Sequence, residues 1–295
     1  MRVTERMMTD TVLQNISANL ARMQAAQNEV SSGQRIRRPS DDPVDLAQAL
    51  GYQSAIARAD RYVNTIDTAT AWLNATDAAL GSTTDLLVNA RQLAVQGAND
   101  TLSSDQRAVL AKQVDQILEQ LVSTANSSFQ GQRLFAGLKT DVDPFALTAG
   151  PPTTVTYNGD SGSMGREIQT GTVVDINTQG NAVFPAGFNA LIGLRESLLA
   201  DDVSGIRANG LTALDSAMSD VAEAQTEVGA RVNRFQAVRD QQDQLRQSLT
   251  VLKGKLTDTD YAQAITNFSA QETVYQASLA AAARTLQGSL FDFLR

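Results

Sequence analysis

All six prolines of this 295-residue chain fall at positions 39, 43, 144, 151, 152 and 185. Proline lacks a backbone donor and its ring clashes with the preceding helical turn, so helix interiors largely exclude it. The proline-free stretches on either side of residues 144–185 are therefore open to unusually long helices. Eight of the 19 glycines lie between Gly137 and Gly187, so the turn-forming residues collect in the same segment. The pattern predicts helical flanks enclosing a small β-rich insert over residues 138–187.

Apolar residues recur in sevens through both flanks, the spacing of a helix with one buried stripe. A first helix is expected over about Thr4–Ser32. Thr9, Ile16, Met23 and Val30 form one row, Val12, Asn19 and Ala26 its offset partner, and Leu13 and Leu20 widen the stripe. Gly33 ends it. A second helix is expected from Pro43 to Gln96, with Ile66, Leu73, Leu80 and Leu87 in one row and Trp72, Ala79, Leu86 and Leu93 beside it. At 1.5 Å per residue it would be about 80 Å long, too long for a compact sphere. Ser103 with Gln106 three residues later is a capping-box pattern that starts a third helix, expected to fold back on the second. After the insert, Phe188–Leu199 reads as a short helix. Ser204–Leu256 reads as a long one, with Val221, Val228, Phe235, Gln242, Leu249 and Leu256 in sevens. The last helix carries Tyr261, Phe268, Tyr275 and Ala282 in sevens, with Ile265, Leu279 and Leu286 alongside. In the insert, Val155 with Tyr157 and Val174 with Ile176 alternate like strands, and Asn158-Gly159 between them is a tight-turn pair.

The predicted fold is mainly α: a long helical hairpin with terminal coiled-coil arms (1–42 and 257–295), a middle helical bundle (43–137 and 188–256) and the small β-rich insert as its far, outer tip. Between arm and bundle, Asp42 can cap a helix whose first residue is Pro43. Pro39, Ser40, Asp41, Asp42 and Pro43 are the expected inter-domain joint. Three aspartates so close also suit a Ca²⁺ loop, but Pro43 and the periodic run after it favour a helix start. The chain ends Leu290-Phe291-Asp292-Phe293-Leu294-Arg295. Free ends are normally polar and frayed, so an apolar end should be covered by something. The arms carry too few large apolar side chains to order themselves alone. They are expected to be mobile in the monomer and to fold against neighbouring subunits. Val12, Ile16, Met23, Val30, Phe268, Tyr275, Leu279, Leu286, Leu290, Phe291, Phe293 and Leu294 are the expected assembly contacts.

Composition narrows the chemistry. With no cysteine and no histidine, the chain lacks disulfides, thiolate metal sites and the commonest general base. Gly159-Asp160-Ser161-Gly162 matches the string around a protease nucleophile, but that serine would need a base. No catalytic residue, metal ligand or cofactor site is expected. A net charge of −8 argues against nucleic acid as a partner. Residues 1–40 carry six arginines against three acids, leaving −11 on the remainder, and such opposite signs could steer subunits together. No apolar run reaches the roughly 20 residues of a membrane span, and no signal peptide is visible in the first thirty.

Several ordered strings are similar to the flagellin family, and to its hook–filament junction members in particular. They are Arg37-Arg38-Pro39-Ser40-Asp41-Asp42-Pro43-Val44, Trp72-Leu73-Asn74, Leu86–Ala94, Leu134-Phe135-Ala136-Gly137, Tyr157–Gly162, Tyr261–Ala264, Tyr275–Leu279 and Ser289–Leu294. Flagellin proper usually has an Asp-Asp-Ala-Ala-Gly-type string where Pro43 stands here. The resemblance implies a non-enzymatic structural subunit of the bacterial flagellum, exported unfolded without a cleaved signal peptide. It implies an extracellular adaptor ring of identical subunits between hook-associated protein 1 and the flagellin filament. It also implies an export chaperone that holds the C-terminal helix, residues 255–295. A bulk flagellin-like filament subunit and a cytosolic coiled-coil scaffold are the other readings that share these heptads.

Overall fold

The computed structural model describes residues 2–148, 150 and 153–293, with side chains for 7, 9–148, 150 and 153–284. It is mainly α-helical, with α1 (Arg2–Ser32), α2 (Pro43–Gly97), α3 (Ser104–Ala125), α4 (Gly180–Leu199), a single turn α5 (Val203–Gly205), α6 (Leu211–Thr257) and α7 (Tyr261–Phe293). The described residues divide into two compact units, one of residues 1–58 and 245–295 and the other of 59–244.

Two caps are where the sequence places them, and a third opens α7. The Asp42 carboxylate accepts from the amides of Val44 and Asp45 at 3.1 and 3.0 Å, opening α2 behind Pro43. Ser103 and Gln106 form the reciprocal capping box of α3. Asp260 accepts from Ala262 and Gln263 at the start of α7.

Residues 59–244 hold one continuous hydrophobic core. Ile66, Leu73, Leu80 and Leu87 of α2 are wholly buried, as are Val221, Val228 and Phe235 of α6, so the middle heptads are an ordinary bundle core. Leu110, Val114, Leu118 and Leu121 of α3 complete it with Leu191, Leu194 and Leu198 of α4. Two exposed ion pairs, Asp67–Arg239 and Arg91–Asp215, both at 2.7 Å, join α2 to α6 in antiparallel register.

The insert departs from expectation in three respects. Helix α4 starts at Gly180, eight residues before Phe188, and runs through Pro185. Burial decides this: Phe184 stacks edge-on against Phe135 at 4.7 Å and Phe145 at 5.4 Å, outweighing one lost donor. Asn158-Gly159 is not a hairpin turn. Strand β3 (Phe145–Thr148) pairs with β4 (Thr154–Tyr157), and β5 (Gly165–Gln169) pairs with β6 (Thr172–Asp175). Gly159 instead lets the chain pass close to the Tyr157 hydroxyl and the Ala136 carbonyl. A further hairpin, β1 (Ser128–Phe129) with β2 (Gln132–Arg133), precedes the insert. It turns at Gln130-Gly131, both at positive φ, as a tight hairpin loop requires. The insert is also no separate tip. Phe145, Ile168, Val174 and Ile176 belong to the helices' own core, and the Tyr62 hydroxyl of α2 reaches Glu167 and Thr170 beside β5 and β6.

Helix continuity is interrupted before α6, where Ile206–Gly210 form a π-helical turn that buries Ile206. Next to it, Arg107 at the start of α3 has only 4% of its side chain exposed. It donates to the carbonyls of Gly97 (3.0 Å) and Asn99 (2.8 Å) and pairs with Asp201, tying the α2–α3 turn to the end of α4. Removing it leaves the buried Gly97 carbonyl without its donor and breaks the ties to Asn99 and Asp201. Arg107→Ala is expected to cost about 2–4 kcal/mol, seen as a fall of roughly 5–15 °C in the melting temperature followed by circular dichroism.

Candidate assembly site

The unit made of residues 1–58 and 245–295 is built differently. Helices α1 and α7 pack against one another, with Gly33 at the end of α1 beside the Tyr261 ring at the start of α7, so they run antiparallel. The predicted α1 seam is the covered side. Asn19 and Ala26 are buried, and Val12, Ile16, Met23 and Val30 are half-buried. On α7, Ala264 and Ala282 are buried, and Phe268, Gln271, Tyr275 and Ser278 are half-buried. Equal steps of seven from Gly33 and Tyr261 bring Ala26 level with Phe268, Asn19 with Tyr275 and Val12 with Ala282. A small or polar residue on one helix thus faces a larger one on the other, and the helices close on a narrow line.

Leu279 lies off that line at 42% exposed. With Ile265 and Tyr261, also exposed, it forms a second stripe on α7, and Leu13 flanks the seam on α1. The side chains of Leu286, Leu290, Phe291 and Phe293, and the whole of Leu294, lie outside the described residues. Exposed large apolar side chains concentrate in this unit. It holds 11 of the 17 among the described residues, including Val44 and Leu50 of α2 and Leu245, Val251 and Leu252 of α6. The unit has about a third of the chain, so exposed apolar side chains are denser there than in residues 59–244.

The connections between helices hold the arms in register. The α1–α2 link and the α6–α7 link lie side by side as a one-bridge antiparallel pair, Gln34 opposite Asp258. The Arg35 amide donates to the Thr257 carbonyl at 2.8 Å, and the Thr259 amide to the Gly33 carbonyl at 3.0 Å. The Arg35 guanidinium donates to the Leu256 carbonyl and pairs with Asp45, each within 2.9 Å. Ile36, the next residue, is buried. Of the expected joint residues, Pro39, Ser40, Asp41 and Pro43 are exposed and Asp42 is the α2 cap. Asp41 closes the loop on itself, accepting from the Arg38 and Arg37 amides at 2.9 and 3.1 Å. Those amides hold its carboxyl below the usual carboxylate range.

Among the described residues, no helix is long and apolar enough to cross a membrane, and no group of His, Cys, Asp and Glu is placed to hold a metal ion. Residues 3–140 match the bacterial flagellin N-terminal helical region, and residues 211–294 match the bacterial flagellin C-terminal helical region. The chain belongs to the flagellin family, a family of flagellar structural proteins. Within it, the chain is similar to flagellar hook-associated protein 3. It is 25% identical to that of Escherichia coli K12 over 305 residues, covering 94% of this chain and 95% of that protein. It is 30% identical to that of Salmonella typhimurium LT2 over 185 residues, 62% of this chain and 57% of that one. The fold matches the crystal structure of flagellar hook-associated protein 3 from Legionella pneumophila with a TM-score of 0.63 at 16% identity, over 70% of this chain and 98% of that one.

Two outcomes follow from the lacing. Gly33 has φ +68°, and a Cβ there would collide with the Tyr261 hydroxyl. Gly33→Ala should weaken the α1–α7 pairing by about 1–2 kcal/mol from the backbone alone, and Tyr261→Ala in the same chain should recover only the steric part. Thermal unfolding of the three variants separates the two. Because the folded-state pKa of Asp41 is lowered, its hold on the loop is present above the ordinary carboxylate pKa and is lost as pH falls through the lowered value. The protection of the Arg37 and Arg38 amides, measured as hydrogen exchange relative to the intrinsic rate at each pH, should therefore fall on acidification, and in Asp41→Ala it should already be low at neutral pH.

Proposed function

We propose that this chain is a non-enzymatic structural subunit of the bacterial flagellum that polymerises as an adaptor ring between hook-associated protein 1 and the flagellin filament. The concentration of exposed apolar side chains in the terminal unit carries this reading. A thin seam plus a wide uncovered stripe is what a subunit needs when its neighbours complete its packing. Similarity to hook-associated protein 3 along almost the whole chain supports the junction role. In this reading residues 1–42 and 257–295 form the inner assembly domain. Val12, Ile16, Met23 and Val30 pack with Phe268 and Tyr275 in the arm pair. Leu279, Leu286, Leu290, Phe291, Phe293 and Leu294 meet neighbouring subunits. Pro39–Pro43 is the joint to the bundle of 43–137 and 188–256, and the 138–187 insert faces outward. Export proceeds without a cleaved signal peptide, with a chaperone on residues 255–295.

Deleting the gene should leave hooks without filaments and flagellin shed into the medium, as seen by electron microscopy. Thousands of copies along each filament, rather than a few at its base, would make the chain a filament flagellin instead. Hydrogen exchange on the purified monomer should show weak protection at 1–40 and 260–295. Strong protection at both arms would overturn the coupling of their folding to assembly. Pro43→Ala should loosen the joint and reduce filament attachment and swimming.

A further inference from the structure

Asparagine followed by glycine is a chemically labile pair. Glycine has no Cβ, so its amide nitrogen can swing close to the preceding carboxamide and close a cyclic imide. The chain carries two such pairs, Asn158-Gly159 and Asn209-Gly210. Both asparagines are exposed, so neither the dipeptide nor its exposure separates them.

The backbone does separate them. Asn209 and Gly210 lie inside the π-helical turn Ile206–Gly210, Gly210 is buried, and the next amide, that of Leu211, donates to the Ile206 carbonyl. A helical ladder holds each peptide plane along the axis, away from the side chain before it. Asn158 and Gly159 instead follow the end of β4 in an irregular stretch. Among the described residues the Asn158 carboxamide makes no hydrogen bond, and the Gly159 amide has no acceptor. Their neighbours are held. The Asn158 amide donates to the Pro144 carbonyl at 2.8 Å, and the Asp160 amide to the Ala136 carbonyl at 3.0 Å. Two other asparagines packed around the insert are also held: the Asn126 carboxamide exchanges bonds with the Phe145 backbone, and that of Asn177 engages Met164 and Gly162. The Asn158-Gly159 peptide is thus a free link between two anchored amides.

We propose that Asn158 is a site of spontaneous deamidation and isoaspartate formation, and that the π-helical turn protects Asn209 from the same reaction. Hydroxide removes the Gly159 amide proton, and the nitrogen attacks Cγ of Asn158. The N–Cγ bond forms, the Cγ–Nδ2 bond breaks, and Nδ2 leaves as ammonia with a proton from water. Water then opens the imide. Attack at Cγ gives aspartate. Attack at the backbone carbonyl carbon gives isoaspartate, in which the chain runs through Cβ and Cγ. Either product adds a negative charge beside Asp160. The isoaspartyl product also lengthens the chain between the Asn158 and Asp160 amides, so their bonds to Pro144 and Ala136 cannot both keep their present geometry. The Tyr157 hydroxyl, within 3.1 Å of the Phe135 carbonyl and 2.7 Å of the Asp160 carbonyl, carries that displacement towards the aromatic cluster.

The purified full chain, kept for days in warm, mildly alkaline buffer, is digested and mapped by mass spectrometry. Isoaspartate is identified by electron-transfer fragmentation and by methyl acceptance from an isoaspartyl methyltransferase. The peptide holding Asn158 should convert at least several-fold faster than the peptide holding Asn209, in part to isoaspartate. In chain unfolded in urea beforehand, the two should convert at similar rates. Asn158→Gln, whose longer side chain closes the ring far more slowly, should abolish the fast conversion and most methyl acceptance. An unchanged Asn158 in the folded chain, or an Asn209 that converts as fast, overturns the proposal. A rate difference that persists in urea overturns the protective role of the π-helical turn.

Discussion

The antiparallel contact of α1 with α7 is what the rest of this molecule depends on. Each helix offers the other a narrow strip whose only fully buried members among the described residues are Asn19 and Ala26 on one side and Ala264 and Ala282 on the other, with half-buried residues beside them. Small residues allow the backbones to approach, but they remove little apolar area from water, and the hydrophobic gain scales with area. The arm pair therefore cannot match residues 59–244, where Phe135, Phe145 and Phe184 sit in one aromatic cluster with Leu73, Leu80 and Leu87 in the same core. The same sequence repeat thus has two outcomes. In the bundle the heptad rows are covered from several directions, whereas in the arms they are covered from one.

A weak pair still needs a defined register, and side-chain bulk alone does not supply it. The two links supply it through backbone atoms. Gly33, Gln34 and Arg35 exchange hydrogen bonds with Thr257, Asp258 and Thr259, and Arg35 reaches a carbonyl at the end of α6 and a carboxylate at the start of α2. Backbone bonds fix position along the helix axis without adding apolar surface. The arms can therefore leave a wide apolar stripe uncovered and still keep one alignment.

Much of this was legible in the sequence because it depends on spacing and local chemistry. The rows through Ile66, Val221 and Ile16, the Asp42 cap and the Ser103 box all follow from which residues sit three, four or seven apart. What escaped depends on partners distant in the chain. Nothing near Pro185 signals a helix, since α4 exists there through contacts of Phe184 with Phe135 and Phe145. Arg107 reads as an ordinary solvated residue near a helix start, and only the approach of Gly97 and Asp201 makes it a buried tie. In the terminal unit Val12, Ile16, Met23 and Val30 lie on the covered side of α1, and Phe268 and Tyr275 on that of α7 beside Ala264, Gln271 and Ser278, whereas Ile265 and Leu279 lie outside. The larger side chains drew attention to the outer stripe, whereas close helix packing selects the smaller ones.

That division of labour on α7 has a physical logic. If the bulky row faced α1, the arm pair would be better covered and the outer stripe would be polar, leaving little to join neighbours. Placing Ile265, Tyr261 and Leu279 outside leaves apolar area uncovered by α1, at the cost of a sticky surface. Charge separation offsets that cost. A surplus of ten negative charges on residues 59–244 makes like surfaces repel at distances up to roughly the 8 Å screening length at physiological salt. Encounters that bring acidic face to acidic face are discouraged, and those that bring acidic to basic face are favoured.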